Sequence, residues 1–144
     1  MSKELIQRIR AANPDFQKRV ASGLFDLQYD ADADIVYVAL GEPTEGVSVP
    51  IATAGDDLFL RTDYDYKILG FDILHFRSRF LPRHPDGAAA FAPLFAFFGT
   101  GDWRLHVSLH QARQPEALYT VPSEAPLNYF KTYLPTVAPE LALA

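Results

Sequence analysis

Apolar residues recur first at a helical period. Leu5, Ile6 and Ile9 fall at i, i+1 and i+4 behind Ser2, a good N-cap residue. Asn13-Pro14 interrupts this run and predicts a restart, with Asn13 as cap and Pro14 at the first helical position. Phe16 and Val20 continue the apolar face, and Gly23 ends it. From residue 24 the period drops to two. Phe25, Leu27 and Tyr29 alternate with Asp26, Gln28 and Asp30, the pattern of a half-buried strand. Ile35 to Leu40 predicts a second strand, apolar on both faces. Val47, Val49 and Ile51 predict a third, which Pro50 confines to a sheet edge. Leu58–Thr62 is a fourth, and Ile68–Phe76 a fifth that is again apolar on both faces. The connections are short, and short connections between strands predict hairpins.

After Pro82 the pattern changes again. Ala88–Phe98 predicts a very apolar helix ended by Gly99-Thr100-Gly101. Trp103, Leu105, Val107 and Leu109 alternate with Arg104, His106, Ser108 and His110, which predicts a strand with Leu118–Val121 as its hairpin partner. Ser123–Leu134 predicts a short helix, with Pro126 near its first turn and Pro135 stopping it. The expected class is α+β in a single domain. Residues 1–22 form a helical N-terminal segment, 24–76 an antiparallel β-meander of four to five strands, 80–135 a helix, hairpin and helix extension, and 136–144 a tail. Two strands apolar on both faces imply that something covers the second side of the sheet, because an antiparallel sheet with one wet side does not need them.

Composition narrows the possibilities. A chain of 144 residues with 49% hydrophobic content can bury a core without a staple. It has no cysteine, which excludes disulfides, thiolate zinc sites and cysteine nucleophiles. The net charge of −5 argues against a dedicated nucleic-acid binder. The N-terminus carries no apolar secretion segment, and Ala88–Phe98 is about half the roughly 20 residues a membrane helix needs. A cytoplasmic protein without membrane contact is expected.

Tyr29-Asp30, then Asp34, then Ile35-Val36-Tyr37-Val38-Ala39-Leu40 carry a resemblance. A Val/Ile strand, an Asp-rich hairpin and Ile68-Leu69-Gly70-Phe71-Asp72-Ile73-Leu74 complete it. Together residues 25–76 resemble a family of prokaryotic domains of unknown function, number 2283. The resemblance implies a small Asp-rich β-meander and no particular chemistry. The family's usual Asp-Gly turn before the last strand is replaced here by Asp65-Tyr66-Lys67. Tyrosine resists the left-handed conformation that glycine accepts, so a different or longer turn is expected.

Each candidate for chemistry has a plainer reading. Asp30-x-Asp32-x-Asp34 opens like a calcium loop, but Ile35 and Gly41 stand where such a loop needs glycine and a bidentate glutamate. A hairpin turn is expected instead, with Tyr29, Asp30 and Asp34 as its marker residues. Asp56-Asp57 and Asp63-x-Asp65 are acidic pairs at hairpin ends, where solvent is the expected environment. His106 and His110 have the i, i+4 spacing of a helical metal site, but on a strand they lie about 13 Å apart. His75 and His84 add no ligand spacing, so no metal or cofactor is expected. Arg77, Arg79 and Arg83 form a basic cluster that could hold an anion, a partner protein or, through Phe80 stacking, a nucleic acid.

Phe91, Leu94, Phe95 and Phe98 share one helical face and Phe97 lies off it. The five together are core, a homodimer interface or the wall of a pocket for an apolar ligand. No nucleophile elbow, phosphate loop or dinucleotide fingerprint is present, which lowers the case for an enzyme. The leading expectation is a non-catalytic interaction module that forms a homodimer. The rivals are a small-ligand protein or enzyme with a pocket near the Phe-rich helix, and a regulatory binder using the arginine cluster.

Overall fold

The computed structural model describes residues 2–22, 25–40, 49–52, 57–99, 101–107 and 124–134. The fold is α+β, built on an antiparallel sheet that contains a β-meander. Helix α1 spans Lys3–Ala12 and α2 spans Phe16–Ser22. Strands β1 (Phe25–Asp30), β2 (Ile35–Leu40), β3 (Val49–Ala52), β4 (Leu58–Thr62) and β5 (Ile68–Ile73) follow. A π-helical turn, Phe76–Phe80, runs into the single turn α3 (Leu81–Arg83) and then into α4 (Pro85–Phe98). Strand β6 (Trp103–Val107) and helix α5 (Glu124–Tyr133) complete the described elements. Gly23, Val47, His110 and the expected partner strand Leu118–Val121 lie outside the described residues.

The strand order is β3-β4-β5-β2-β1-β6. The β1–β2 and β3-β4-β5 hairpins are sequential neighbours, as short connections require. The chain leaves β2, starts again at the far edge with β3, and returns so that β5 pairs with β2. Pro50 does sit on that edge strand, where its missing N–H costs nothing. β6 extends the sheet on the other side by pairing with β1.

One face of the sheet carries Leu27, Tyr29, Val36, Val38, Leu40, Leu58, Leu60, Phe71 and Ile73, all buried. The helices pack on this face. Phe16 of α2 meets Phe71 edge-on at 6.3 Å, while Phe91 and Phe95 of α4 meet Trp103 and Tyr29. The Phe-rich helix is therefore core along Phe91 and Leu94, each fully buried. Phe95 and Phe98 are half-buried, and only Phe97, 59% exposed, points away. As an interface this group is reduced to Phe97 and Phe98.

Two local expectations need correction. Asn13 does not cap α2. It closes α1, and its side chain donates to Ile9 O (2.7 Å) and Tyr66 O (2.8 Å) and accepts from Ile68 N (2.8 Å). A buried amide that ties a helix end to a hairpin satisfies three backbone groups at once, more than a cap can. The fifth strand also stops at Ile73, because His75 turns left-handed (φ 50°) and opens the π-helical turn.

Candidate functional site

The aspartates after Tyr29 form the β1–β2 turn, and the carboxylates of Asp30 and Asp34 hold it. Asp30 Oδ1 accepts from Ala33 N at 3.2 Å. Asp34 sits left-handed (φ 55°), a conformation aspartate tolerates better than most residues. Its carboxylate accepts from Tyr29 Oη (2.8 Å), Arg77 N (2.8 Å), Ser78 N (3.1 Å) and Ser78 Oγ (2.7 Å). Partial burial pushes the Asp34 carboxyl up, but the hydrogen bonds from Arg77, Ser78 and Tyr29 outweigh it and hold the group below the ordinary carboxylate range. Burial and the neighbouring Asp34 together push the Tyr29 hydroxyl up, so it stays a donor. The turn thus caps the π-helical segment 44 residues on and fixes where Arg77 and its neighbours leave the sheet. Among the described residues no group of three or more His, Asp or Glu could hold a metal ion.

The arginine cluster is dispersed by its partners. Arg77 lies over the Phe95 ring, 4.4 Å from its centre. Arg79 reaches Asp57 at 2.8 Å as an ion pair whose angles leave Asp57 Oδ1 and Arg79 Nε without hydrogen bonds. Arg83 approaches the same carboxylate at 3.7 Å, beyond hydrogen-bond range. The three do not form one basic patch. Asp57, expected in solvent, is the joint anchor, whereas Asp63 stays in its turn and accepts from Asp65 N and Lys67 N at 2.9 Å.

Ring and polar groups also line a cleft of 560 Å³ between α3, the start of α4 and α5. His84 forms part of its wall. The His84 ring stacks on Phe80 at 4.0 Å and meets Tyr133 edge-on at 5.4 Å. Its Nδ1 lies 2.8 Å from Phe80 O. A carbonyl has no proton to give, so Nδ1 is the donor and the neutral ring keeps its lone pair on Nε2. Opposite, Tyr129 and Tyr133 stack on each other at 5.5 Å with planes 9° apart. Gly87 lets Tyr129 come this close, since a Cβ there would lie 2.9 Å from the ring. Burial first, then Tyr133 and Asp86, push the Tyr129 phenol up; burial does the same for Tyr133. Both rings stay neutral at physiological pH.

Of these groups the sequence singles out Arg83 and, as a stacking ring, Phe80; it names His84 without giving it a role. Tyr129 and Tyr133 are spaced i, i+4 on a helix, a detectable signal that two rings share one face. Nothing in the sequence indicates that this face closes onto His84.

The far side of the sheet is a second candidate surface. Ile35, Tyr37, Ala39 and Phe59 are half-buried there, Gly70 lies between the strands, and no described helix packs on them. Asp72 stands inside this strip, opposite both Tyr37 and Phe59, and Asp26 stands opposite Ala39; each carboxylate is held by an arginine. Arg104 holds Asp26 through two bonds of 3.2 and 2.6 Å, and Arg61 holds Asp72 at 2.5 Å. His106 stands in β6 opposite Asp26, on a strand as its alternation predicts.

No helix among the described residues is long and apolar enough to cross a membrane. No curated protein and no solved structure matches the chain. Residues 27–77, the segment that runs from β1 through the Asp34 turn and β5 to Arg77, match the family described as protein of unknown function (DUF2283).

Proposed function

We propose that the protein is a non-catalytic interaction module that works as a homodimer through the open face of its sheet. The observation that carries this reading is the strip of Ile35, Tyr37, Ala39 and Phe59, left half-buried on the face the helices do not cover. An antiparallel face meant for water carries polar residues at these central positions. The charges on this face, including Asp72 between Tyr37 and Phe59, are already ion-paired, Asp26 with Arg104 and Asp72 with Arg61, so a second sheet meets no lone ion.

The charge order also suits a second copy. Asp26 and Arg61 occupy the same cross-strand row, on strands equidistant from the β2–β5 seam. A twofold axis along that seam brings Asp26 over the partner's Arg61, in the aligned packing common to stacked sheets. A six-stranded face is roughly 30 Å wide and 17 Å long, which offers about 1,000 Å² for the pair. That is the low end for a specific interface and implies a dimer of micromolar stability. The arginine cluster supports a nucleic-acid reading less well, since Arg79 and Arg83 face Asp57 and Arg77 lies on Phe95.

Sedimentation equilibrium tests the proposal. At about 100 µM the protein is expected at twice its 16.1 kDa chain mass. Tyr37→Lys places a charge in the centre of the strip and is expected to give a folded monomer. A wild-type monomer at that concentration overturns the proposal.

A further inference from the structure

We infer that the cleft between α3, α4 and α5 is a binding site for a small aromatic compound carrying one anionic group. The inference is independent of dimerisation, which uses the opposite face of the sheet. The cleft volume of 560 Å³ falls within the range of small-molecule sites. Its walls are of two kinds. Tyr129, Tyr133 and Ala90 supply flat apolar surface on which a ring can stack or pack edge-on. Arg83 and His84 supply the polar end.

Arg83 is the group that selects charge. Asp57 takes its close ion pair from Arg79 at 2.8 Å and leaves Arg83 at 3.7 Å, with the Arg83 side chain 63% exposed. A guanidinium held this loosely can turn its fork to a carboxylate or phosphate, which it binds through two parallel hydrogen bonds. The start of α4 points the same way. Pro85 opens that helix with no side-chain cap and has no N–H, and Ala88 N donates to His84 O, so the Asp86 N–H is the first-turn donor on the cleft wall. His84 is held by Phe80 O and by stacking, which fixes its ring in the cleft wall.

Asp86 on the same wall sets the limit of charge. A carboxylate there disfavours a multiply charged anion, and it accepts a hydrogen bond from a hydroxyl or amino group on the ligand. One anionic group, one ring and one donor is the combination the wall chemistry fits.

The probe is 4-hydroxybenzoate, followed by saturation-transfer NMR and calorimetry on the full chain. Binding in the millimolar range or tighter is expected, with benzyl alcohol, which lacks the charge, and cyclohexanecarboxylate, whose ring is not aromatic, each weaker by about tenfold. Arg83→Gln alters an exposed side chain and is expected to weaken 4-hydroxybenzoate about tenfold while leaving benzyl alcohol unchanged. Ala90→Trp fills the cleft and is expected to abolish binding of both. No saturation transfer from 4-hydroxybenzoate at 10-fold excess over the roughly millimolar range overturns the inference. So does an affinity indifferent to both Arg83→Gln and Ala90→Trp, or one matched by inorganic phosphate alone.

Discussion

Asp34 shows how one side chain converts a turn into a long-range tether. Its carboxylate takes hydrogen bonds from Tyr29, Arg77 and Ser78, so β1 and the start of the helical layer share one acceptor. Because the folded carboxyl is held below its ordinary value, its contribution is complete above the unfolded value of 3.8 and is lost as pH falls through the folded value. Asp34→Asn is expected to cost about 1–2 kcal/mol at neutral pH. Urea unfolding of wild type and variant at several pH values should show the two curves converging as the medium becomes more acid than that range. Asn13 is a second single-residue tether. It satisfies Ile9 O, Tyr66 O and Ile68 N from within the core, and Asn13→Ala strands those groups. A loss of about 2–4 kcal/mol is expected, read as a lower urea midpoint with unchanged slope. Neither role is legible in the sequence. Asp34 looks like any turn aspartate and Asn13-Pro14 looks like a helix start, because hydrogen bonds across 44 and 55 residues leave no local pattern.

At the scale of elements the period of the chain is a good guide wherever burial is one-sided. β4 falls where alternation places it, and α4 covers the whole of the expected apolar helix. The elements that differ are those shaped by their neighbours. The hairpin around Tyr66 takes a left-handed residue (φ 67°) where a glycine is cheaper. Asn13 bonds the Tyr66 carbonyl and Arg8 bonds its hydroxyl at 3.3 Å, contacts that offset the steric cost. The turn after β5 becomes π-helical because Asp34 receives its first N–H groups. In β5 itself, Gly70 stands where a Cβ would lie 2.1 Å from Val38 O. Gly70→Ala therefore has to push β2 and β5 apart. A loss of more than about 3 kcal/mol is expected in thermal or urea unfolding. If Gly70→Ala is as stable as wild type, the close β2–β5 approach is not a constraint.

For the molecule as a whole, the question is which apolar surface becomes interior. The Phe-rich helix presents Phe91 to the sheet and Phe97 to the outside, though the two differ little in sequence context. Phe91→Ala is expected to cost about 3–5 kcal/mol and Phe97→Ser less than about 0.5, which a pair of melting curves decides. By itself the sequence determines the α+β class, the β1–β2 and β3-β4-β5 hairpins, the edge position of β3 and the resemblance of residues 25–76 to a family pattern, which the match over 27–77 bears out. These follow from local periodicity, from the geometry of turns and from the missing N–H of Pro50. Only the tertiary structure decides that the described helices gather on one side of the sheet, that the arginine cluster divides between Asp57 and Phe95, and that His84 meets Tyr133 across a cleft. The physical reason is that these outcomes depend on which faces meet. Facing is set by side-chain packing between residues far apart in the chain, where neither period nor propensity carries information.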